Sequence, residues 1–320
     1  MTNPFIRPDV AIFLKQLEAQ AAASAGAPPS LDATRAGMEE KSRQADLPVG
    51  DLARIEDLTA KGPDSRAIAL QLYDVRPQRE ASPLVVFYHG GGFVTGSLAT
   101  HAAICAQISR LLDLPVVAVD YRLAPEHPWP AAPDDGEAAT RHLAEARDLG
   151  FVVEGLFLCG DSAGGNLALV TALALKDRPA AVPVLGQCLF YPVADLKTTY
   201  PSEEAFGHGY LLTREFIQGM MLQYKPDVSD PRASPLFGSL EGLAPTAVVT
   251  AGVDPLRDQG RALVAALGKA GVPLAFHEAR GLIHAFLNFR RAIPSASADL
   301  ERGLALFRTL VAGSVPRPKR

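Results

Sequence analysis

Unbroken apolar runs at regular intervals constrain this chain most. Leu84–Tyr88, Val116–Val119, Leu156–Leu158, Leu185–Tyr191, Ala247–Val249 and Leu274–Phe276 are near-continuously apolar. A strand with one face in water alternates polar and apolar residues, whereas a strand covered on both faces does not. Between the runs lie segments of helical spacing: Ala102–Leu112, Pro133–Glu145, Ala163–Leu175, Leu256–Lys269 and Ala296–Leu310. This alternation predicts an α/β chain with a mostly parallel sheet flanked by helices on both faces. Two earlier segments, Arg54–Ala60 and Ala67–Tyr73, read as antiparallel strands.

Two regions break the rhythm. Residues 9–20 place Val10, Phe13, Leu14 and Leu17 at helical spacing, an Ala/Gly/Pro link follows over 21–30, and 32–46 is polar, charged and helix-compatible. Between Asp195 and Pro245 about fifty residues carry no strand run but do hold a helical segment, Arg214–Tyr224. An insertion of that length in a compact α/β fold is usually functional. The expected organisation is an N-terminal cap part over 1–50, a core over 51–194, a cap insertion over 195–230 and a second core part over 231–320. The two cap parts are expected to pack together over the carboxyl edge of the sheet.

Two short motifs follow strand runs and carry chemistry. Gly160-Asp161-Ser162-Ala163-Gly164 has the G-x-S-x-G form, which sets a serine on a sharp strand-to-helix turn. His89-Gly90-Gly91-Gly92-Phe93 can turn successive backbone N–H groups toward one point, as stabilising an oxyanion requires. A phosphate-cradling loop fits poorly, because the lysine of a P-loop is missing. A serine hydroxyl needs a base, and the base an orienting carboxylate, in the order Ser, Asp or Glu, His. Asp254 follows Ala247–Thr250 and precedes Pro255, a position that also suits a helix N-cap; Asp258 is its rival but reads as a salt-bridge partner. His284 follows the last strand run, with Gly281 close by. The expected nucleophile, acid and base are Ser162, Asp254 and His284, and the expected oxyanion donors are the N–H groups of Gly91, Gly92 and Ala163. His89 reads as structural. Phe93, Tyr191, Phe206, Leu211, Met220 and Ile283 are the candidates for lining the substrate pocket.

Composition narrows the partners. With 320 residues, 48% of them hydrophobic, there is material for one large domain or two small ones. A net charge of -4 argues against nucleic acid, and the short basic stretch 316–320 reads as a solvated tail. Three scattered cysteines give neither a disulfide framework nor a metal-ligand spacing. No span is apolar for long enough to cross a bilayer, and residues 1–20 lack a signal-peptide core, so a cytoplasmic, membrane-free protein is expected. No cofactor is expected.

The chain resembles the hormone-sensitive-lipase-like (bacterial family IV) carboxylesterases of the α/β-hydrolase superfamily. The resemblance rests on the His89–Gly92 loop, on Asp120-Tyr121-Arg122-Leu123-Ala124-Pro125-Glu126, on Gly160-Asp161-Ser162-Ala163-Gly164-Gly165, on Asp254-Pro255-Leu256-Arg257-Asp258 and on the His284 loop. It implies an eight-stranded sheet with a helical cap and the same three residues as catalytic triad. It also implies the same oxyanion donors and a small-molecule ester as substrate, of short to medium acyl chain. The sequence departs from the family at Trp129, at Ala285 after the histidine, and at Gly219-Met220-Met221, where relatives carry aromatics; the last bears on pocket shape. Relatives dimerise through a sheet edge or C-terminal helix, which leaves a homodimer open. Two other readings use the same scaffold. One is a small-molecule receptor, disfavoured because all three triad residues are present; the other is an amidase or peptidase.

Overall fold

Every apolar run extends into a strand of one eight-stranded sheet in the computed structural model, which describes residues 4–23 and 30–313. The link over 24–29 and the tail over 316–320 lie outside the described residues. Two helices, α1 (Pro8–Ala23) and α2 (Leu31–Ala45), precede the strands β1 (Arg54–Lys61), β2 (Ala67–Asp74) and β3 (Ala81–Tyr88). Then α3 (Leu98–Leu112), β4 (Val116–Val119), α4 (Ala131–Glu145), β5 (Val152–Asp161), α5 (Ala163–Asp177) and β6 (Val184–Phe190) alternate. The insertion holds α6 (Pro201–Phe206) and α7 (Arg214–Tyr224), and the chain closes with β7 (Thr246–Val253), α8 (Arg257–Lys269), β8 (Leu274–Ile283) and α9 (Ala296–Leu310).

The strand order is β1-β2-β4-β3-β5-β6-β7-β8. The pairs β1/β2 and β2/β4 are antiparallel, and all later pairs are parallel. Solvent access explains the sequence texture. In β1 half-buried and exposed positions alternate, while β4 is buried throughout. Successive side chains of β3 point to opposite faces, so its unbroken apolar run feeds two cores. Leu84, Val86 and Tyr88 pack with Leu143, Leu167 and Leu263 of α4, α5 and α8; Val85 and Phe87 pack with Ile104 and Phe307 of α3 and α9.

Caps sharpen several helix starts beyond what periodicity gave. Ser97 and Thr100 form a reciprocal capping box that starts α3 four residues before the expected Ala102. Thr213 caps α7 by accepting the Phe216 N–H at 3.2 Å. The six-residue α6 was not foreseen, although Pro201 at its first turn and Glu203 and Glu204 behind it are ordinary start signals.

The two regions that break the rhythm sit near the carboxyl ends of the strands. Val10 and Phe13 of α1 join the core beside Phe289, with the two phenylalanine rings 4.9 Å apart. Helix α2 packs on α3 and on the 3₁₀ turn Phe286–Phe289. No helix among the described residues is long and apolar enough to cross a membrane.

Candidate active site

The motifs converge because they end neighbouring parallel strands. The glycine loop follows β3, Ser162 follows β5, Asp254 follows β7 and His284 follows β8, so all four face the crevice outside the carboxyl ends of the sheet. The loops bring Ser162, Asp254 and His284 into one hydrogen-bonded line. His284 Nε2 lies 2.9 Å from Ser162 Oγ, and His284 Nδ1 lies 2.8 Å from Asp254 Oδ2. Asp254 is fully buried, while Ser162 retains 8% of its accessibility. Asp254 is not the N-cap of α8, a position Leu256 takes; its Oδ1 instead closes the turn before that helix by accepting the Leu256 N–H at 2.8 Å. Asp258 instead bonds Arg257 at 2.8 Å and Arg261 at 3.1 Å.

Ser162 has φ 54° and ψ -117°, a conformation side chains avoid. It is held there by its Phe190 and Val193 backbone bonds and by the close packing of the turn. A Cβ on Gly164 would run into the Tyr88 carbonyl and come within 2.6 Å of the His89 carbonyl. Neither can yield without moving β3. Gly164→Ala is therefore expected to cost about 3 kcal/mol, at the upper end for overpacking. Wild-type thermal stability in that variant would contradict the close approach.

The glycine loop reaches over Ser162 from the other side. Gly91 (φ 122°) and Gly92 (φ 63°) take left-handed backbone angles. Among the described residues no acceptor takes either N–H, and Ala163 opens α5, where the first N–H groups have no helical partner. Asp161, the residue before Ser162, ties the loop down: its Oδ1 accepts the Gly90 N–H at 2.8 Å and lies 3.1 Å from His101 Nε2. Burial alone would raise the Asp161 carboxyl, but His101 and the Gly90 N–H hold it below its ordinary value. His89 is pushed down to about 3, first by burial and then by His101, so it stays neutral and acts through contacts. Its ring stacks on Tyr121 at 4.3 Å, and the Tyr121 hydroxyl donates to the His89 carbonyl at 2.6 Å.

Ser162 and His284 open onto a cavity of about 740 Å³. Phe93, Leu211 and Met220 line it. Tyr191, Phe206 and Ile283, expected beside them, do not. Tyr191 packs behind His284, their ring centroids 4.9 Å apart, and Ile283 is buried in the core beneath. Phe206 turns away under the Arg257 guanidinium, 4.9 Å from its ring centroid, and faces a separate shallow depression with Phe5. Sequence reasoning missed one whole wall: Ala33, Gly37 and Met38 of α2 line the cavity together with Phe216 and Ile217 of α7. Small and apolar residues at four-residue spacing in an otherwise charged helix were the available signal. The thioether of Met220 lies directly over Gly92, where a Cβ would collide with it.

The α/β-hydrolase-fold family profile matches residues 85–288. Esterase LipI of Mycobacterium tuberculosis is 36% identical, over 88% of this chain and 89% of its own length. Ethyl acetate hydrolase of Pseudomonas putida is 35% identical, over 92% of this chain and 96% of its own. Among solved structures, an esterase of Pyrobaculum calidifontis superimposes with a TM-score of 0.86 at 36% identity, covering 97% of this chain and all of that one. An α/β-hydrolase from the metagenome of Lake Arreo superimposes at 0.89 with 31% identity, covering 97% and 99%. Motif order, sheet topology and these likenesses agree: the chain belongs to the α/β-hydrolase family, in its hormone-sensitive-lipase-like branch.

Proposed function

We propose that this protein is a serine carboxylesterase that hydrolyses short- to medium-chain acyl esters through an acyl-enzyme. The observation that carries this reading is the Asp254–His284–Ser162 hydrogen-bonded line at the floor of a largely apolar cavity. His284 Nε2 takes the Ser162 proton as Oγ attacks the ester carbonyl. Asp254 holds the ring through Nδ1 and stabilises its charged form. The N–H groups of Gly91, Gly92 and Ala163 meet the oxyanion, His284 then protonates the leaving alcohol, and water releases the acid by the same route. Relatives named for ester hydrolysis support the same substrate class.

Residues 1–50 and 195–230 serve in this reading as two parts of a cap. In support, residues of both α2 and α7 line the cavity. Phe93, Leu211 and Met220 shape the room for the ester. The test is initial rates on p-nitrophenyl esters from acetate to palmitate. A Ser162-dependent maximum at short or medium chains is expected. A maximum at palmitate would overturn the chain-length assignment, and no Ser162-dependent turnover on any chain would overturn the esterase.

A further inference from the structure

Helix α8 begins without a side-chain cap of its own, because Leu256 stands at its N-cap position. Its first N–H groups are satisfied from elsewhere. Asp254 Oδ1 takes the Leu256 N–H, and a residue of the insertion, Ser202 on α6, takes the next available one. Ser202 Oγ accepts the Asp258 N–H at 3.1 Å and donates to the Pro255 carbonyl at 2.7 Å. Its own N–H donates to Asp258 Oδ2 at 3.0 Å. Ser202 is fully buried, so its hydroxyl is shielded from water where it donates to the Pro255 carbonyl. A second fastening lies just beyond: Gln259 Oε1 accepts the N–H groups of Ala194 and Asp195 at 2.8 and 3.1 Å.

The turn so fastened carries Asp254. One carboxylate oxygen of Asp254 closes the turn and the other meets His284, so the turn's geometry sets where Oδ2 points. We infer that Ser202 is a positioning residue for Asp254: by capping α8 from the insertion, it fixes the aim of Oδ2 at His284 Nδ1. This rests on the reading of Ser162, Asp254 and His284 as nucleophile, acid and base. Ser202 does not line the cavity. Its loss therefore acts on the chemical step and leaves substrate binding alone.

The experiment compares wild type, Ser202→Ala, Ser202→Thr and Ser162→Ala, each as the full chain, on p-nitrophenyl butyrate. Active sites are counted by titration with a p-nitrophenyl phosphonate. Ser202→Ala is expected to lower kcat per titrated site about 10-fold while KM stays within about twofold, the pattern of misaligned chemistry. Ser202→Thr keeps the hydroxyl and is expected to restore most of kcat. The far-downfield proton NMR line of the proton between His284 and Asp254 should shift or broaden in Ser202→Ala and return in Ser202→Thr. A Ser202→Ala enzyme with kcat within twofold of wild type, or with an unmoved NMR line, overturns the inference even if its thermal stability falls. Should Ser202→Ala fail to fold, Asp258→Asn carries the comparison. It weakens the acceptor for the Ser202 N–H, and about a threefold loss of kcat at constant KM is expected; no loss overturns the inference. Activity surviving in Ser162→Ala would overturn the underlying triad reading. Activity absent there but intact in Ser202→Ala overturns only the role of Ser202.

Discussion

Ser162→Ala is expected to lower kcat by a factor of at least about 10⁴ while leaving KM for short esters nearly unchanged. The hydroxyl's only side-chain hydrogen bond among the described residues runs to His284, so its removal deletes the nucleophile and little else. The glycine loop and the cavity remain in place. Stability should hardly move, because alanine inherits the same φ of 54°. Ser162→Gly separates the two consequences. It is equally inactive, but glycine accepts that backbone geometry, and relief of strain of about 1 kcal/mol or more is expected over alanine. In a chain of this size that raises Tm by about 2 °C relative to Ser162→Ala. Paired kinetics and thermal melts on the two variants check both halves. Residual turnover of several per cent in Ser162→Ala would remove Ser162 from the nucleophile role, and a glycine variant melting below the alanine one would remove strain from the account of the turn.

What could be read in the sequence, and what could not, follows from how local each signal is. The strand runs and the G-x-S-x-G turn are local. Burial on both faces forces an apolar run, and the tight approach of Gly164 to Tyr88 forces a glycine, so each leaves its mark at the residues concerned. The pairing of Ser162 with Asp254 and His284 is not local, but chain order in this family substitutes for distance. Pocket lining has no such substitute. Ile283 adjoins His284 in sequence, yet neighbouring side chains of extended backbone point opposite ways, and it ends in the core. Phe206 closes a six-residue helix too short to show periodicity, so the face it presents was unreadable. The α2 wall was hidden for the opposite reason: the helix is so charged that it reads as solvated, and only the fold shows Ala33, Gly37 and Met38 lining the cavity.

Asp46→Ala is expected to be among the most destabilising single changes in the chain, at about 3–5 kcal/mol. Asp46 ends α2 and receives two hydrogen bonds from Arg290, through Nε and Nη2, both at 2.7 Å. The two side chains keep only 2% and 1% of their accessibility. Beside them the Ala45 carbonyl accepts the N–H groups of Arg291 and Ala292 at 3.0 Å each. The end of a cavity wall is thus fastened to the segment that follows His284. Truncating Asp46 leaves a guanidinium buried with no counter-charge, and that penalty, more than the lost attraction, sets the size of the effect. Replacing both partners, as Asp46→Leu with Arg290→Met, removes the charge together with its partner and is expected to recover most of the loss. Urea unfolding of the two single variants and the double variant measures the coupling directly. A single variant costing under about 1 kcal/mol, or a double variant no more stable than Asp46→Ala, would show that the pair does not hold α2 in place. Below its melting range Asp46→Ala should also raise KM more than it lowers kcat. The α2 wall lines the cavity, whereas Ser162, Asp254 and His284 are carried by the ends of β5, β7 and β8, which this change leaves intact.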